Sequence, residues 1–210
     1  KRTMQQPKTA TIIGAGLVGS LWAVYLSKAG YEVTLYERRP DIRKADIVAG
    51  KSINLALSVR GWTALDKVGV GDEIRKIAIP MYGRMMHDLE GNLTYQQYGK
   101  EDQAIFSVSR GKINATMMDI AETYGKAKIF YRHACEGVNT ESGEAFLHNE
   151  MTNERFTVKA DVVFAADGAF SSVRYNSFQK RNRFTYSQNY IEDGYRELLL
   201  PANADGSYKM

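Results

Sequence analysis

Apolar and β-branched residues gather at Thr9-Ala10-Thr11-Ile12-Ile13 and stop abruptly at a glycine, the pattern of a buried strand. Over residues 17–29 the period changes. Leu17, Leu21, Val24 and Tyr25 recur at helical spacing, and Gly30 follows as a helix stop. Residues 31–36 return to strand character, so roughly the first forty positions predict a β-α-β unit and therefore a parallel sheet. Beyond Pro40 the pattern loosens. Residues 50–58 read as extended or looping, and residues 60–68 as a helix ended by Gly69. Residues 84–89 and 93–98 read as two short strands around Glu90-Gly91-Asn92, a hairpin signal. Over residues 111–124, Ile113, Met117, Ile120, Ala121 and Tyr124 form one helical face, with Gly125 as the stop. Residues 128–158 break into short strands with turns near Ser142-Gly143 and Thr152-Asn153. Residues 160–166 form one more buried strand, closed by Asp167-Gly168.

The chain has 210 residues, 44% hydrophobic and 25% charged, which suits a soluble globular protein of one domain, or one domain and part of a second. The net charge of +4 is spread among interspersed acids. Its densest basic cluster, Lys180-Arg181-Asn182-Arg183, is short enough to read as a solvated face, and nucleic acid is not an expected partner. Cys135 is the single cysteine, so an internal disulfide is excluded and a reducing, cytoplasmic setting is expected. His87, His133 and His148 are scattered and lack zinc spacing, so no metal is expected. Residues 1–8 are polar, without the apolar stretch of a signal peptide, and the longest apolar runs are too short for a membrane span.

Gly14-Ala15-Gly16-Leu17-Val18-Gly19 is a G-x-G-x-x-G string. Alone it is weak, but here it follows a strand, opens a helix, and has Glu37 placed 23 positions after Gly14 at the end of the next strand. Gly14 permits the tight turn, Gly16 lets backbone approach a pyrophosphate, and Gly19 lets helix and strand pack closely. Backbone N–H groups at the helix start, that of Ala15 nearby, and the helix dipole favour the anion. Glu37 can accept hydrogen bonds from both ribose hydroxyls and would repel a 2′-phosphate, so the nucleotide is FAD or NAD and not NADP. Arg38 either stacks beside the adenine and flanks the phosphates or is solvated charge.

The segment from Val163 through Ala166-Asp167-Gly168 to Ser171-Ser172-Val173-Arg174 resembles the Asp-Gly motif of the FAD-dependent aromatic hydroxylases. Lys51-Ser52-Ile53-Asn54-Leu55-Ala56-Leu57-Ser58, Ile79-Pro80-Met81-Tyr82-Gly83-Arg84, Ser107-Val108-Ser109-Arg110-Gly111 and Phe184-Thr185-Tyr186-Ser187 are similar to its kynurenine-hydroxylating branch. The resemblance implies an α/β, Rossmann-like FAD-binding domain with a parallel sheet over residues 1–175. It also implies an inserted substrate-contacting hairpin at about residues 81–99 and the start of an antiparallel β substrate domain over 176–210, cut short before a ribitol-binding Gly-Asp motif. The implied reaction consumes L-kynurenine, NADPH and O2 in tryptophan degradation, with FAD bound and NADPH a transient visitor. Position by position, Asp167 falls beside the pyrophosphate, Arg110 against the flavin, Ala56 in the strand passing the isoalloxazine, and Arg84 with Tyr98 on the substrate carboxylate. No residue is implied as a protein acid or base. The alternatives are a flavin-binding piece without activity, or a hydroxylase of the same fold acting on another aromatic acid.

The hairpin offers an independent check. A three-residue loop centred on Gly91 sets Arg84 directly opposite Tyr98 on one face, whereas a two-residue loop puts them on opposite faces. A guanidinium fork and a phenol can then share one carboxylate. From spacing alone, a surface ion pair at Arg84 and a packing role for Tyr98 remain the alternative.

Overall fold

Strand β1 (Thr9–Ile13) and the strands beside it carry two different apolar faces, and those faces organise the molecule. The computed structural model describes residues 8–44, 54–181, 183–194, 201 and 203–206. After β1 come helix α1 (Leu17–Lys28) and strand β2 (Glu32–Glu37), the expected β-α-β unit. Helix α1 ends where Gly30 adopts φ +86°, a conformation costly for a residue with a Cβ. A small antiparallel sheet follows, built from β3 (Asn54–Leu57), β4 (Ile79–Met81) and β7 (Ile105–Ser109) in the order β3-β7-β4. Between its strands lie α2 (Val59–Lys67), α3 (Gly71–Arg75) and the hairpin of β5 (Gly83–His87) and β6 (Leu93–Gln97). Helix α4 (Arg110–Thr123) leads to β8 (Lys128–Tyr131). Then come β9 (His133–Val138), β10 (Glu144–Asn149), β11 (Arg155–Lys159), β12 (Val162–Ala165) and a short wide helical turn over Arg174–Gln179.

The main sheet runs β12-β1-β2-β8, all parallel, with Ile12 beside both Phe164 and Leu35. Side chains alternate across a strand. Ala10, Ile12, Val33 and Leu35 therefore face the helices, where Ala23 and Val24 of α1 and Ile113, Met117 and Met118 of α4 complete the larger core. Ile13 and Tyr36 point the other way, onto Cys135, Ala145 and Leu147 of the antiparallel sheet β11-β10-β9. The result is three layers: helices, parallel sheet, antiparallel sheet. Full burial of side chains such as Ile12 and Leu35 contributes about 1.5–3 kcal/mol each.

Four elements were not expected from the pattern, the helical turn over Arg174–Gln179 among them. Helix α3 is too short to show a period, and β4 is a three-residue strand containing Pro80. Strand β7 owes its place to pairing with β3 and β4 on either side, which no local pattern reports. The expected extended segment at 50–58 is a strand from Asn54, and its first part, with Lys51, Ser52 and Ile53 of the resemblance, lies outside the described residues. The same is true of Asn182 in the basic cluster. Among the described residues no helix is long and apolar enough to cross a membrane, and no group of three His, Cys, Asp or Glu side chains is placed to hold a metal ion.

Candidate cofactor and substrate site

The glycine turn sits where β1, β2 and β12 end together. Gly14 N–H donates to Tyr36 O at 2.8 Å, and Ala166 N–H donates to Ile13 O at 2.8 Å, which ties the turn to both neighbouring strands. Gly14 has φ +95°, and a Cβ there would lie 2.6 Å from Ala166 O, so conformation and contact both demand glycine. A Cβ at Gly19 would run into Gly14 O, which makes Gly19 the close-packing position between α1 and the turn. Gly16 differs: a Cβ there meets nothing within 4 Å. Gly16 is the N-cap of α1, and no side chain caps the helix, so its first-turn N–H groups and positive dipole end face open space. That cradle fits a pyrophosphate.

Glu37, only 5% exposed, lies behind the turn. Its Oε2 accepts from Ala15 N–H at 2.9 Å, and its Oε1 accepts from Arg39 N–H and Arg39 Nε, both at 2.9 Å. Burial pushes this carboxyl up, but the hydrogen bonds and charge of Arg39, with the Ala15 N–H, outweigh it and hold it below the ordinary value. A carboxylate has about four lone-pair sites, so Oε2, which otherwise takes only a 3.4 Å contact from Arg39 Nη2, retains capacity for a ribose hydroxyl. The residue that orients Glu37 is thus Arg39. Arg38 is exposed and makes no hydrogen bond or ion pair with the described residues. The signal for Arg39 lay in its two-residue offset from Glu37, which lets the chain turn back at the strand end.

The Asp-Gly motif stands against the glycine turn, as the Gly14–Ala166 approach requires. Asp167 accepts from Ser171 Oγ at 2.6 Å and from Val173 N–H at 3.2 Å, while Gly168 turns the chain at φ +83°. Arg174 donates to Ala169 O and lies 5.1 Å from the Tyr186 ring centroid. These groups open on a cavity of about 330 Å³ lined by Asp167, Gly168, Ser171, Arg174, Phe178 and Phe184.

The small sheet sets Ala56 and Arg110 on neighbouring elements. Ala56 pairs with Ser107 and Asn54 with Ser109, and Arg110 follows directly as the first residue of α4. Both Ala56 and Arg110 are exposed.

The hairpin register differs from the expectation. Arg84 pairs with Gln96, not Tyr98, and Tyr98 N–H donates to Tyr82 O at 2.9 Å. The loop is centred on Glu90. Gly91 N–H donates to Asp88 O at 3.2 Å, Gly91 takes φ +85°, and Asp88 N–H donates to Asn92 O at 3.1 Å. Glycine therefore fills the last, left-handed position of a three-residue loop, as such loops prefer. Asp88 fixes the turn by accepting from Asn92 N–H at 2.6 Å and Asn92 Nδ2 at 2.8 Å. The shift is by two residues along one strand, so parity survives. Arg84 and Tyr98 are diagonal neighbours on one face, within reach for long side chains.

A strand–glycine turn–helix backed by a buried acid at the next strand defines an α/β nucleotide-binding protein, and the comparisons name the nucleotide. The chain belongs to the family described as FAD binding domain, whose model matches residues 8–189, and the cradle fits that cofactor. Its relatives include the kynurenine 3-monooxygenase of Flavobacterium johnsoniae, 46% identical over 99% of this chain and 46% of that protein. The kynurenine 3-monooxygenase of Anopheles gambiae is 42% identical over 98% of this chain and 42% of its own length. The chain thus spans less than half the length of these relatives. The crystal structure of a p-nitrophenol 4-monooxygenase from Pseudomonas putida superimposes with a TM-score of 0.66 at 22% identity, over 80% of this chain and 43% of that one. That likeness shows the fold.

Proposed function

We propose that this protein forms the FAD-binding part, with a substrate-carboxylate hairpin, of a monooxygenase converting L-kynurenine to 3-hydroxykynurenine with NADPH and O2. The observation that carries the reading is the shared face of Arg84 and Tyr98, in a chain 46% identical to a kynurenine 3-monooxygenase. Bound FAD supplies electron transfer from NADPH and the activation of O2. The first turn of α1, at Gly16, holds the pyrophosphate, and Glu37 accepts from the adenosine ribose. Asp167 orders the loop beside the pyrophosphate through Ser171 and Val173. Arg110 stands against the flavin, and the strand carrying Ala56 passes the isoalloxazine ring. Arg84 takes the substrate carboxylate with its guanidinium fork while Tyr98 donates its hydroxyl. The substrate's ring amino group already activates the neighbouring carbon, so the protein's work is to orient the ring and exclude water.

In this reading residues 1–175 are the FAD-binding domain with the hairpin inserted, and residues 176–210 begin the substrate domain. The buried thiol of Cys135, pushed up to about 11 by burial, suits a reducing cytoplasmic setting. The test is the visible spectrum of the FAD-loaded protein during kynurenine addition, together with kynurenine-dependent NADPH oxidation. Support is a spectral response in the wild type that Arg84→Ala loses. Retained flavin with no response to kynurenine overturns the substrate assignment and leaves a flavin-binding module.

A further inference from the structure

Arg84 is held differently from the other described arginines whose guanidinium bonds to a side chain. Arg39, Arg43, Arg75 and Arg155 each pair with at least one carboxylate. Arg84 has no carboxylate partner among the described residues. Its partner is the neutral amide of Gln96, directly across the ladder, with Nε donating to Oε1 at 2.7 Å. Because a guanidinium only donates, the amide orientation is fixed by chemistry: Oε1 must face Arg84.

Two consequences follow from which atoms are used. The bond takes the Nε–H and leaves the paired Nη groups, an edge that can hold a carboxylate bidentately. The bond also orients the cation without neutralising it, since the acceptor carries no charge. A glutamate in the same place would orient Arg84 equally well but cancel the charge a ligand needs. The nearby hairpin acid Asp88 is occupied with Asn92, so it does not compete. Met86 and Thr94, the next cross-strand pair toward the loop on the same face, are uncharged as well, and Tyr98 lies diagonal to Arg84 on that face.

We propose that Gln96 is the positioning residue of the carboxylate site: it fixes the Arg84 guanidinium by its Nε–H and leaves the Nη edge and the full positive charge to the substrate. This rests on the assignment of Arg84 to the substrate carboxylate. Gln96 is exposed and lies in a strand whose side chains are exposed throughout, so its replacement leaves the fold intact.

The test titrates the FAD-loaded protein with kynurenine and with kynuramine, the same molecule lacking the carboxyl group, and reads affinity by calorimetry. Arg84→Ala weakens kynurenine binding roughly 100-fold. Gln96→Ala weakens it roughly fivefold while kynuramine binding stays unchanged. Gln96→Glu, which keeps the acceptor but adds a negative charge, weakens kynurenine more than Gln96→Ala does and leaves kynuramine no weaker. A merely structural role for Gln96 would move both ligands together. If Arg84→Ala loses kynurenine but Gln96→Ala and Gln96→Glu bind it as the wild type does, the role of Gln96 is overturned and the substrate assignment stands. If the wild type binds kynurenine and kynuramine alike, or binds neither, the carboxylate is not read at this hairpin and both fall.

Discussion

The glycine turn and the β5–β6 hairpin carry the residues proposed for the cofactor and the substrate, yet they are built in opposite ways. At the turn, the backbone shapes the site: Gly14, Gly16 and Gly19 have no side chains, Ala15 is fully buried, and Glu37 is buried and oriented by a hydrogen bond to each carboxylate oxygen, with Oε2 keeping room for one more. At the hairpin it comes from side chains standing in solvent, with Leu93, Tyr95 and Tyr98 all exposed and every residue of β6 exposed. The ribbon pairs only with itself and the side chains of β6 are exposed, so the hairpin contributes little to the core. The difference predicts that changes at the turn damage fold and cofactor binding together, while changes at the hairpin damage recognition alone.

The largest expected effect is at Gly19. Valine there drives its Cβ into Gly14 O, where both partners are backbone and neither can yield. Gly19→Val destabilises by about 4 kcal/mol or more and abolishes flavin retention, read by denaturant unfolding and the visible spectrum. Gly91→Ala is the matching change in the hairpin. Its Cβ meets nothing within 4 Å, so only the left-handed φ of +85° is penalised, at about 1 kcal/mol. Equal losses from the two would break the comparison.

Glu37 comes next. Glu37→Ala strands the Ala15 N–H and the Arg39 guanidinium, costing about 2–3 kcal/mol and lowering FAD affinity. The pH dependence has a definite sign. Burial raises this carboxyl, but Arg39 and the Ala15 N–H overcome that and depress it. A depressed carboxyl stabilises the fold fully above its unfolded value of about 4.3, and that stabilisation is lost as pH falls through the lower folded value. The stability gap between wild type and Glu37→Gln should therefore be full near neutrality and shrink in acid below about pH 4. A gap that widened in acid would mean burial dominates at this carboxyl. Arg39→Ala should reproduce a smaller part of the Glu37 loss in FAD affinity, and Arg38→Ala less still, because Arg38 touches no described partner.

This contrast also sorts what the sequence could reveal. The turn was readable because glycine, strand and acid occupy fixed offsets along one continuous segment, and their physical reasons are local. The contact between Gly14 and Ala166 was legible from two motifs whose resemblance assigns them to one cofactor. The hairpin existed in the pattern, but its register hung on whether Gly91 stood at the centre or the end of the loop. The left-handed position decided that. The bond from Arg39 to Glu37 was not legible because adjacent residues at a strand end diverge, and only the turn of the chain tells which one comes back. Strand β7 and Gln96 were invisible for the same reason as each other: both gain their meaning from a partner distant in sequence.

The smallest expected effect on stability is the one that most sharpens the comparison. Arg84 is exposed, its bond to Gln96 lies at the surface, and no carboxylate among the described residues pairs with it. Arg84→Ala should change unfolding free energy by no more than about 0.5 kcal/mol, the usual range for surface positions. FAD affinity should be unchanged as well, since the nucleotide cradle is assembled from β1, β2, α1 and β12 without the hairpin. Thermal unfolding and flavin titration of the one variant test both claims. A melting temperature lowered by many degrees would mean that the ribbon folds as part of the core despite its exposure. Unchanged stability and flavin affinity, with kynurenine binding lost, would separate recognition from folding at a single side chain.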